Sequence, residues 1–475
     1  YYFLTDADVD VRRDAIDATG FKGDALTSHL SVQKFERNLA NKMQGGTAFH
    51  DVQMKGGSTM EVPMTIKNYA NGVAGQFGSF LAAVAVGEPT KFSTYSVDPQ
   101  QPDTINLVAS TPCYASSLSS SDFVYTMANG GRLFDNAKAP IADGQYTFKL
   151  NFPTAYRLSY AALDRAFLVY PRTNSLDGAR GGLVMQYVET KEGTPVVVSG
   201  ATADTHVFDI SDAANVYELK GAYDKDALTY TFALPRNYMS SSDGSGTGRF
   251  VAFNAADTHP GVELVGEVAN QNIHADKVPD MMVITTDELL PAARAMAAMR
   301  QAADGLNVAV YTQQQLFNEF TSGTPHLNAY RLAAKMFWDR DPERFKYVLL
   351  YGKSNWDPRR YELNVPQEML LTYEVEPYGQ QMAYASHHVN LNFATDNVVG
   401  MLADGFTYDE LPSTQLDVAV GRLPVKSVSE GNELTKKLEK YLQNLPALRS
   451  TSRALIITDD GDSNSHLDQG EELAL

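Results

Sequence analysis

Cysteine is nearly absent from this chain, since Cys113 is the single cysteine among its 475 residues. One cysteine can form neither an intramolecular disulfide nor a cysteine-based zinc site within the chain. Cys113 follows Thr111 and Pro112, without the glycine-rich strand-to-helix turn that presents a nucleophile. We therefore interpret it as an unreactive, half-buried thiol.

Basic residues and long apolar runs are also scarce. The chain has 39 lysine and arginine residues against 57 acidic ones, which gives a formal net charge of -18. Such a charge repels phosphate backbones, so no nucleic-acid partner is expected. The longest apolar run, residues 80–86, is far shorter than the roughly 20 residues of a membrane-spanning helix. No basic and apolar leader follows Tyr1, which fits either a cytosolic protein or a mature chain without its signal peptide.

The first part of the chain, residues 1–272, has the pattern of a β-rich region. Short alternating or apolar runs, such as 146–152, 167–170 and 229–234, are separated by clusters of Gly, Asn, Asp, Pro and Ser. This pattern predicts one or two β-sandwich-like domains. We also expect the runs 164–170 and 181–188 to be neighbouring strands across the loop 173–180.

The second part, residues 273–475, has a different sequence pattern, in which predicted strands alternate with predicted helices. Strands are predicted at 281–285, 308–311, 347–351, 416–420 and 454–458, and helices at 288–303, 314–320, 325–337 and 430–442. The pattern is typical of a mainly parallel sheet covered by helices on both faces. The predicted fold class is α+β multidomain, with a β-sandwich-rich N-terminal half and an α/β domain that we expect to be truncated.

An acidic run, Asp459, Asp460 and Asp462, follows the last predicted strand. Open α/β sheets place their ligands and chemistry at the carboxyl ends of the strands. Acidic residues before a helix can also simply cap its N-terminal amides. The residues alone leave both interpretations open.

Several segments of the α/β part occur in the order and spacing of a known peptidase family. They are residues 279–285, 347–352 with Asp357, 395–397, 417–425, the helix through Tyr441, and 459–462. In these segments the chain resembles the gingipain-like cysteine peptidases of family C25. The resemblance is strong over roughly residues 275–475 and weak over the β-rich part.

The resemblance implies a caspase-like (gingipain-like) fold and a cysteine peptidase site. In this family a thiolate attacks the scissile carbonyl, a His transfers the proton and a carboxylate orients that His. The family places its His in a Gly-His-Gly turn and its Cys at the end of a later strand. Neither feature occurs here, so we expect both groups after Leu475. Asp460, and then Asp459, are the candidates for orienting the His.

The same resemblance places the start of the next helix near the substrate. Asp462, His466 and Asp468 are therefore the candidate substrate-binding residues. Gingipains use an acidic group there to select a basic residue before the cleaved bond. Here His466 and Leu467 occupy the approximate position, which argues against trypsin-like specificity.

The activity implied by the resemblance is that of a sortase-like cysteine endopeptidase of the type IX secretion system. Such an enzyme removes the C-terminal signal domain of secreted cargo and attaches the cargo to a cell-surface glycolipid. The implied partners are those signal domains, a β-barrel anchor protein and lipopolysaccharide as acceptor. The implied location is the extracellular face of the bacterial outer membrane, with a signal peptide already removed. The alternatives are a secreted gingipain-like protease and a non-catalytic C25-like scaffold of the cell-surface attachment complex.

No metal site is predicted and no cofactor is certain, although calcium stays open because extracellular gingipain-like enzymes use it. Asp357, Asp396 and Asp404 could supply oxygen ligands, but their spacing matches no compact calcium loop, and turn-forming carboxylates are favoured. Arg422 is expected to form a structural pair with a carboxylate such as Asp396. The adjacent His387 and His388 are interpreted as loop residues.

Overall fold

The computed structural model describes most of the chain. The described residues are 14–40, 49, 51, 54–70, 75–86, 90–98, 101–113, 115–116, 126–127, 133–135, 142–152, 160–179, 181–212, 215–239, 246–257, 266–355, 357–359, 368–374, 394–406, 415–448, 455–459 and 462–474.

The N-terminal half is built from strands. In chain order they are β1 (Ala15–Asp17), β2 (Ser28–Phe35), β3 (Met54–Lys55), β4 (Ser58–Ile66), β5 (Gln76–Val86), β6 (Thr90–Asp98), β7 (Gln101–Cys113), β8 (Ala115–Ser116), β9 (Thr126–Met127), β10 (Leu133–Asp135), β11 (Gly144–Phe152), β12 (Tyr160–Thr173), β13 (Leu183–Tyr187), β14 (Pro195–Ser199), β15 (Thr205–Asp209), β16 (Tyr217–Lys220), β17 (Ala222–Asp224), β18 (Thr229–Ala233) and β19 (Gly248–Asn254).

A first β-sandwich is formed by β2 to β12. One sheet has the order β10-β5-β12-β2, with β3, β8 and β9 at its sides, and the other has the order β4-β11-β6-β7. Strand β11 shows why the two sheets pack, because its alternate residues Tyr146, Phe148, Leu150 and Phe152 are buried. They join Phe77 and Leu168 of the facing sheet in one core, in which the rings of Phe77 and Phe148 stack at 4.2 Å.

A second β-sandwich is formed by the remaining strands of this half. Its sheets have the orders β1-β16-β15-β19-β13 and β14-β18-β17. The core between them includes Leu183, Val198, Phe232 and Phe250. Strand β1, near the start of the chain, lies parallel to β16, with Ala15 opposite Glu218.

Two short bridges connect the first sandwich to the second. Leu26, just before β2, pairs with Val196, and Ser175, just after β12, pairs with Ser199. The buried Asn174 lies between these bridges and donates hydrogen bonds to the carbonyls of Leu26 and Val197, at 3.0 and 3.1 Å. Both connections between the sandwiches therefore lie side by side.

The C-terminal half alternates strands and helices. Its elements are β20 (Met281–Thr285), α1 (Leu290–Asp304), β21 (Val308–Thr312), α2 (Gln313–Phe320), α3 (Asn328–Arg340), β22 (Tyr347–Tyr351), β23 (Tyr373–Glu374), β24 (Ala394–Thr395), β25 (Ala419–Leu423), α4 (Val428–Leu448) and α5 (Ser465–Ala474). Local signals fix several ends: Pro291 opens α1, Gly305 ends it with a φ of 70°, and Thr312 caps α2 in a capping box with Gln315.

The four long strands of this half form one parallel sheet with the order β21-β20-β22-β25. Helices α2 and α3 pack on one face, where Leu316, Tyr330 and Phe337 meet Ile284 and Leu350. Helices α1 and α4 belong to a second core on Val283, Val308 and Tyr351. Because both faces are covered, the α+β fold class with a mainly parallel sheet is confirmed.

The last predicted strand, 454–458, is not formed. Residues 455–459 have no regular secondary structure, and the side chains of Leu455 and Ile457 are 85% and 82% exposed. A strand requires hydrogen bonds from a neighbour, and none of the described residues pairs with this apolar run. The prediction was wrong because an apolar run alone does not show whether a neighbouring strand is present to pair with it.

Two further expectations are corrected. Strands β12 and β13 are not neighbours, because β12 pairs with β2, β3 and β5 of the first sandwich whereas β13 pairs with β19 of the second. Strand β25 begins at Ala419, three residues later than predicted, since Leu416 is 42% exposed and precedes the sheet. No helix among the described residues is long and apolar enough to cross a bilayer.

Candidate functional site

The carboxyl ends of the parallel strands form the candidate site. The chain passes from β20 to β21 through α1 on one face, and then reaches β22 through α2 and α3 on the other face. The winding therefore reverses between β20 and β22, where α/β sheets commonly bind their ligands. At this edge the hydroxyl of Thr285 donates to the carbonyl of Tyr351 at 2.8 Å, so the two strand ends are held together.

Arg422 organises the loops at this edge. Its Nε and Nη2 donate to the two carboxylate oxygens of Asp396, both at 2.7 Å. Its guanidinium also donates to the carbonyls of Gly352, at 2.9 Å, and Leu371, at 3.0 Å. Thr372 donates a further hydrogen bond to Asp396 at 2.9 Å. The predicted pair is confirmed, and it connects three separate loops to β25.

A pair of buried carboxyl groups lies close to this cluster. Asp357 is completely buried and Glu374 is 5% exposed. Burial, and next the negative charge of Asp357, raises the pKa of Glu374 to about 8. The sequence interpretation missed Glu374, because it lies in the two-residue strand β23, which has no distinctive local pattern.

The three aspartates considered for calcium do not form one set. Asp396 is bound to Arg422, and Asp404, which is 94% exposed, forms an ion pair with Lys335 at 3.0 Å. Asp357 alone of the three is buried. The preference for structural roles therefore holds for Asp396 and Asp404, whereas the environment of Asp357 is different.

A small cleft opens beside the end of β21. It has a volume of roughly 170 Å³, and its lining includes Gln314, Phe317, Asn355, Glu368 and Leu370. The floor is fixed by the buried Gln313, which accepts a hydrogen bond from Tyr330 at 2.5 Å and donates one to Glu368. The cleft thus combines apolar walls with amide and carboxylate groups.

Two of the predicted site residues contact each other. The Nδ1 atom of His466 lies 2.7 Å from a carboxylate oxygen of Asp459, and both side chains are exposed, at 52% and 72%. The turn between them contains Ser463 and Asn464 with φ values of 59° and 68°, which bring α5 back toward Asp459. The structure therefore places His466, predicted as a substrate contact, on one of the carboxylates predicted to orient a His.

The other predicted site residues are less informative. Asp460 lies outside the described residues. Asp462 begins the short 3-10 helix at 462–464, and Asp468 is an exposed residue of the first turn of α5. His387 and His388 also lie outside the described residues, as does the side chain of Cys113. The catalytic and substrate-binding assignments stay predictions.

Comparison with known proteins bears directly on this half of the chain. Residues 274–474 match the model of peptidase family C25. A search of curated proteins found no significant match. Among solved structures, the chain is similar to one described as dimeric latent PorU from Porphyromonas gingivalis, with a TM-score of 0.73 and 23% identity.

The likeness to PorU covers 96% of this chain and 42% of that one, so the chain spans less than half of PorU's length. A cycloisomaltooligosaccharide glucanotransferase from a Paenibacillus species also matches, at 8% identity over 51% of this chain and 46% of that one, but its TM-score of 0.17 carries no argument. The resemblance predicted from the sequence is thus confirmed: residues 274–474 are a gingipain-like segment that matches peptidase family C25, on a chain with the fold of the corresponding part of PorU.

Proposed function

We propose that this chain belongs to a cysteine endopeptidase that acts as a type IX secretion sortase. The observation that carries the proposal is the family C25 match over residues 274–474, together with a PorU-like fold that extends through the β-rich half. In the proposed reaction a cysteine thiolate attacks the peptide bond before the C-terminal signal domain of a secreted protein. The peptide C–N bond breaks and the signal domain leaves with a new amino terminus, so that the cargo is held as a thioester. An amine of surface lipopolysaccharide then displaces the cysteine thiol and joins the cargo through an amide bond.

The residues of this chain supply the scaffold and the carboxylate side of that site. Asp460 or Asp459 would orient the catalytic His, and Asp462, His466 and Asp468 would lie near the substrate. The described position of Asp459 supports its candidacy, because its carboxylate already accepts one imidazole at 2.7 Å and is 72% exposed, with room for another partner. The nucleophile and the general base would come from chain beyond Leu475.

The β-rich half has a separate role in the proposal. A thioester transfers to an amine rather than to water when the site is shielded from solvent. The two sandwiches can provide such shielding, or a docking surface for a PorV-like β-barrel anchor protein in the outer membrane. The proposed location is accordingly the extracellular face of that membrane.

A thiol-reactive peptide inhibitor tests the proposal on the complete polypeptide. We expect one cysteine other than Cys113 to be labelled, with labelling reduced at least tenfold by Asp460→Asn or by Asp459→Asn. Asp404→Asn, which changes an exposed carboxylate paired with Lys335, is the matched control and should label normally. Absence of labelling, or labelling of Cys113 alone, would leave a non-catalytic scaffold.

The transfer step needs its own measurement. The purified protein is incubated with a cargo that ends in its signal domain and with a small amine. A product that carries the amine at the new C-terminus supports the sortase. Hydrolysis without amine incorporation, at any amine concentration, would instead identify an ordinary gingipain-like protease.

A further inference from the structure

The loop after β22 forms one wall of the cleft in the candidate site, since Asn355 and Pro358 both line it. The start of this loop is fixed to β25, because the amide of Gly352 donates to the carbonyl of Leu423 at 2.9 Å. Its middle is a tight turn, in which the amide of Asp357 donates to the side-chain oxygen of Asn355 at 2.7 Å. The next residues of the loop contact the other half of the chain.

This contact is made with an aromatic ring of the first sandwich. The guanidinium of Arg359 lies over the ring of Phe49, with 4.2 Å between its Cζ atom and the ring centroid. Phe49 belongs to the segment between β2 and β3 and is only 5% exposed. A guanidinium within about 6 Å of an aromatic centroid is attracted to the negative face of the ring. The contact therefore joins the β-rich half directly to the wall of the cleft.

The position of Phe49 is fixed by an ion pair two residues farther along the chain. The carboxylate of Asp51, which is 1% exposed, accepts hydrogen bonds from Nε and Nη2 of Arg37 at 2.7 and 3.0 Å. The amide of Asp51 donates to the carbonyl of Leu163 in β12 at 2.7 Å. Arg37 also lies over the ring of Phe35, the last residue of β2, at 5.1 Å from its centroid. A series of contacts thus leads from the strands of the first sandwich through Phe49 to the loop after β22.

The chain itself makes a second, separate connection between the two halves. It enters the α/β half from β19 of the second sandwich. Glu319 fixes this entry, because its carboxylate accepts hydrogen bonds from the side chain of Gln271 at 2.9 Å and from the amide of His274 at 2.8 Å. The first sandwich, in contrast, reaches the α/β half through Phe49, and that contact lies at the cleft.

We propose that Phe49 is a positioning residue for the candidate site. Through Arg359 it fixes the loop after β22 and couples that loop to the first sandwich. This role rests on the proposed function, because a peptidase that holds its cleft wall in place orients the peptide for attack. A displacement of the first sandwich is transmitted to the wall, so a polypeptide that docks on the sandwich can change how the site binds its substrate.

Hydrogen exchange of the complete polypeptide, measured by mass spectrometry, tests the coupling without requiring activity. Phe49→Leu keeps an apolar side chain and removes the aromatic face. We expect the peptide that carries Asp357 and Arg359 to exchange about fivefold faster, as for the loss of one cation–π contact. Arg236→Gln, which breaks the contact with the ring of Tyr238 in the second sandwich, is the matched control and should leave this peptide unchanged.

Changes at Arg359 make the test independent of the folding of the first sandwich, because this side chain is exposed. Arg359→Gln should accelerate exchange of the loop as much as Phe49→Leu does, whereas Arg359→Lys, which keeps a cation, should recover part of the protection. The double variant should exchange no faster than either single variant, since both changes remove the same contact. Additive effects, or exchange at the wild-type rate in both single variants, would overturn the proposal.

Labelling by the thiol-reactive peptide inhibitor connects the coupling to the site. Arg359→Gln should weaken binding of the inhibitor at least about threefold and leave the maximal labelling rate unchanged, because the wall orients the peptide and makes no bond to it. Unchanged inhibitor binding in this variant would contradict a positioning role. If no cysteine is labelled even in the wild type, the proposed function fails, and the exchange measurement still decides whether Phe49 fixes the loop.

Discussion

Arg422 holds both carboxylate oxygens of Asp396 at 2.7 Å, with side chains that are 13% and 22% exposed. This two-pronged geometry is particular to a guanidinium, which also reaches the carbonyls of Gly352 and Leu371. The arrangement joins β25 to the ends of three loops.

Replacing Arg422 with alanine should therefore lower the free energy of unfolding by about 3 kcal/mol, because Asp396 would be left without its charged partner. Arg422→Lys should recover only part of the loss, since an ammonium cannot make the forked contact. Urea denaturation measures both. Lys436→Ala, which breaks the exposed pair with Glu433, is the control and should change stability by less than about 0.5 kcal/mol. Equal effects at the two positions would contradict the structural role of Arg422.

Gly431 allows α4 to approach α1 and the sheet closely. A Cβ atom at this position would lie 2.9 Å from the Cβ of Ala292 and still closer to the hydroxyl of Tyr351. Gly431→Ala should destabilise the protein by about 1 to 3 kcal/mol through overpacking, as measured by denaturation. Gly421→Ala introduces a methyl group that meets nothing within 4 Å and should have little effect.

Asn174 uses its entire side-chain amide at the junction of the two sandwiches. Its Nδ2 donates to two carbonyls, and its Oδ1 accepts from the Tyr187 hydroxyl at 3.1 Å and faces His29 Nδ1 at 2.9 Å. Asn174→Leu should cost about 2 to 4 kcal/mol, because it leaves several buried polar groups without partners. Asn215→Ala, at an exposed position, should be nearly neutral in the same denaturation experiment. A cost below 1 kcal/mol for the leucine variant would show that water replaces the amide.

His29 should make the β-rich half sensitive to acid. Burial has the largest effect on the pKa of His29, which is lowered from 6.5 to about 4. The hydrogen bond to Asn174 opposes this shift, and the positive charge of Arg172 adds to it. The unfolded chain therefore binds a proton between these values while the folded chain does not. The contribution of the neutral His29 to the free energy of unfolding is fully present above about pH 6.5. It is lost as the pH approaches 4, which lowers stability by about 2 to 3 kcal/mol at most.

Denaturation at pH 7.0 and at pH 4.5 gives the loss of stability on acidification, and the difference in this loss between variants measures the contribution of His29. His29→Gln should lose less stability than the wild type on acidification. His326→Gln, in which the replaced ring is exposed, should behave as the wild type does. If acid destabilises His29→Gln and the wild type equally, other groups are responsible.

Local pattern predicted the buried parallel strands well. β20 and β22 have the predicted bounds, because strands covered on both faces are uninterrupted apolar runs. The Arg422 pair was predictable from residue type, since a charged group at a strand end needs a partner. The contacts made by distant segments were not predictable: β1 pairs with β16, and Glu374 lies beside Asp357, with no local pattern in either case. The same limit explains the wrong strand at 454–458.

The pairing of β1 with β16 has a consequence for the architecture of the β-rich half. Strands on both sides of residues 28–173 belong to the second sandwich, so the first sandwich is an insertion within it. The ends of the insertion are adjacent, since Ser28 is the direct strand partner of Thr173. Antiparallel partners are separated by about 5 Å, a gap that a short turn can close. The first sandwich is therefore a module that could be gained, exchanged or excised while the strand order of its host is preserved.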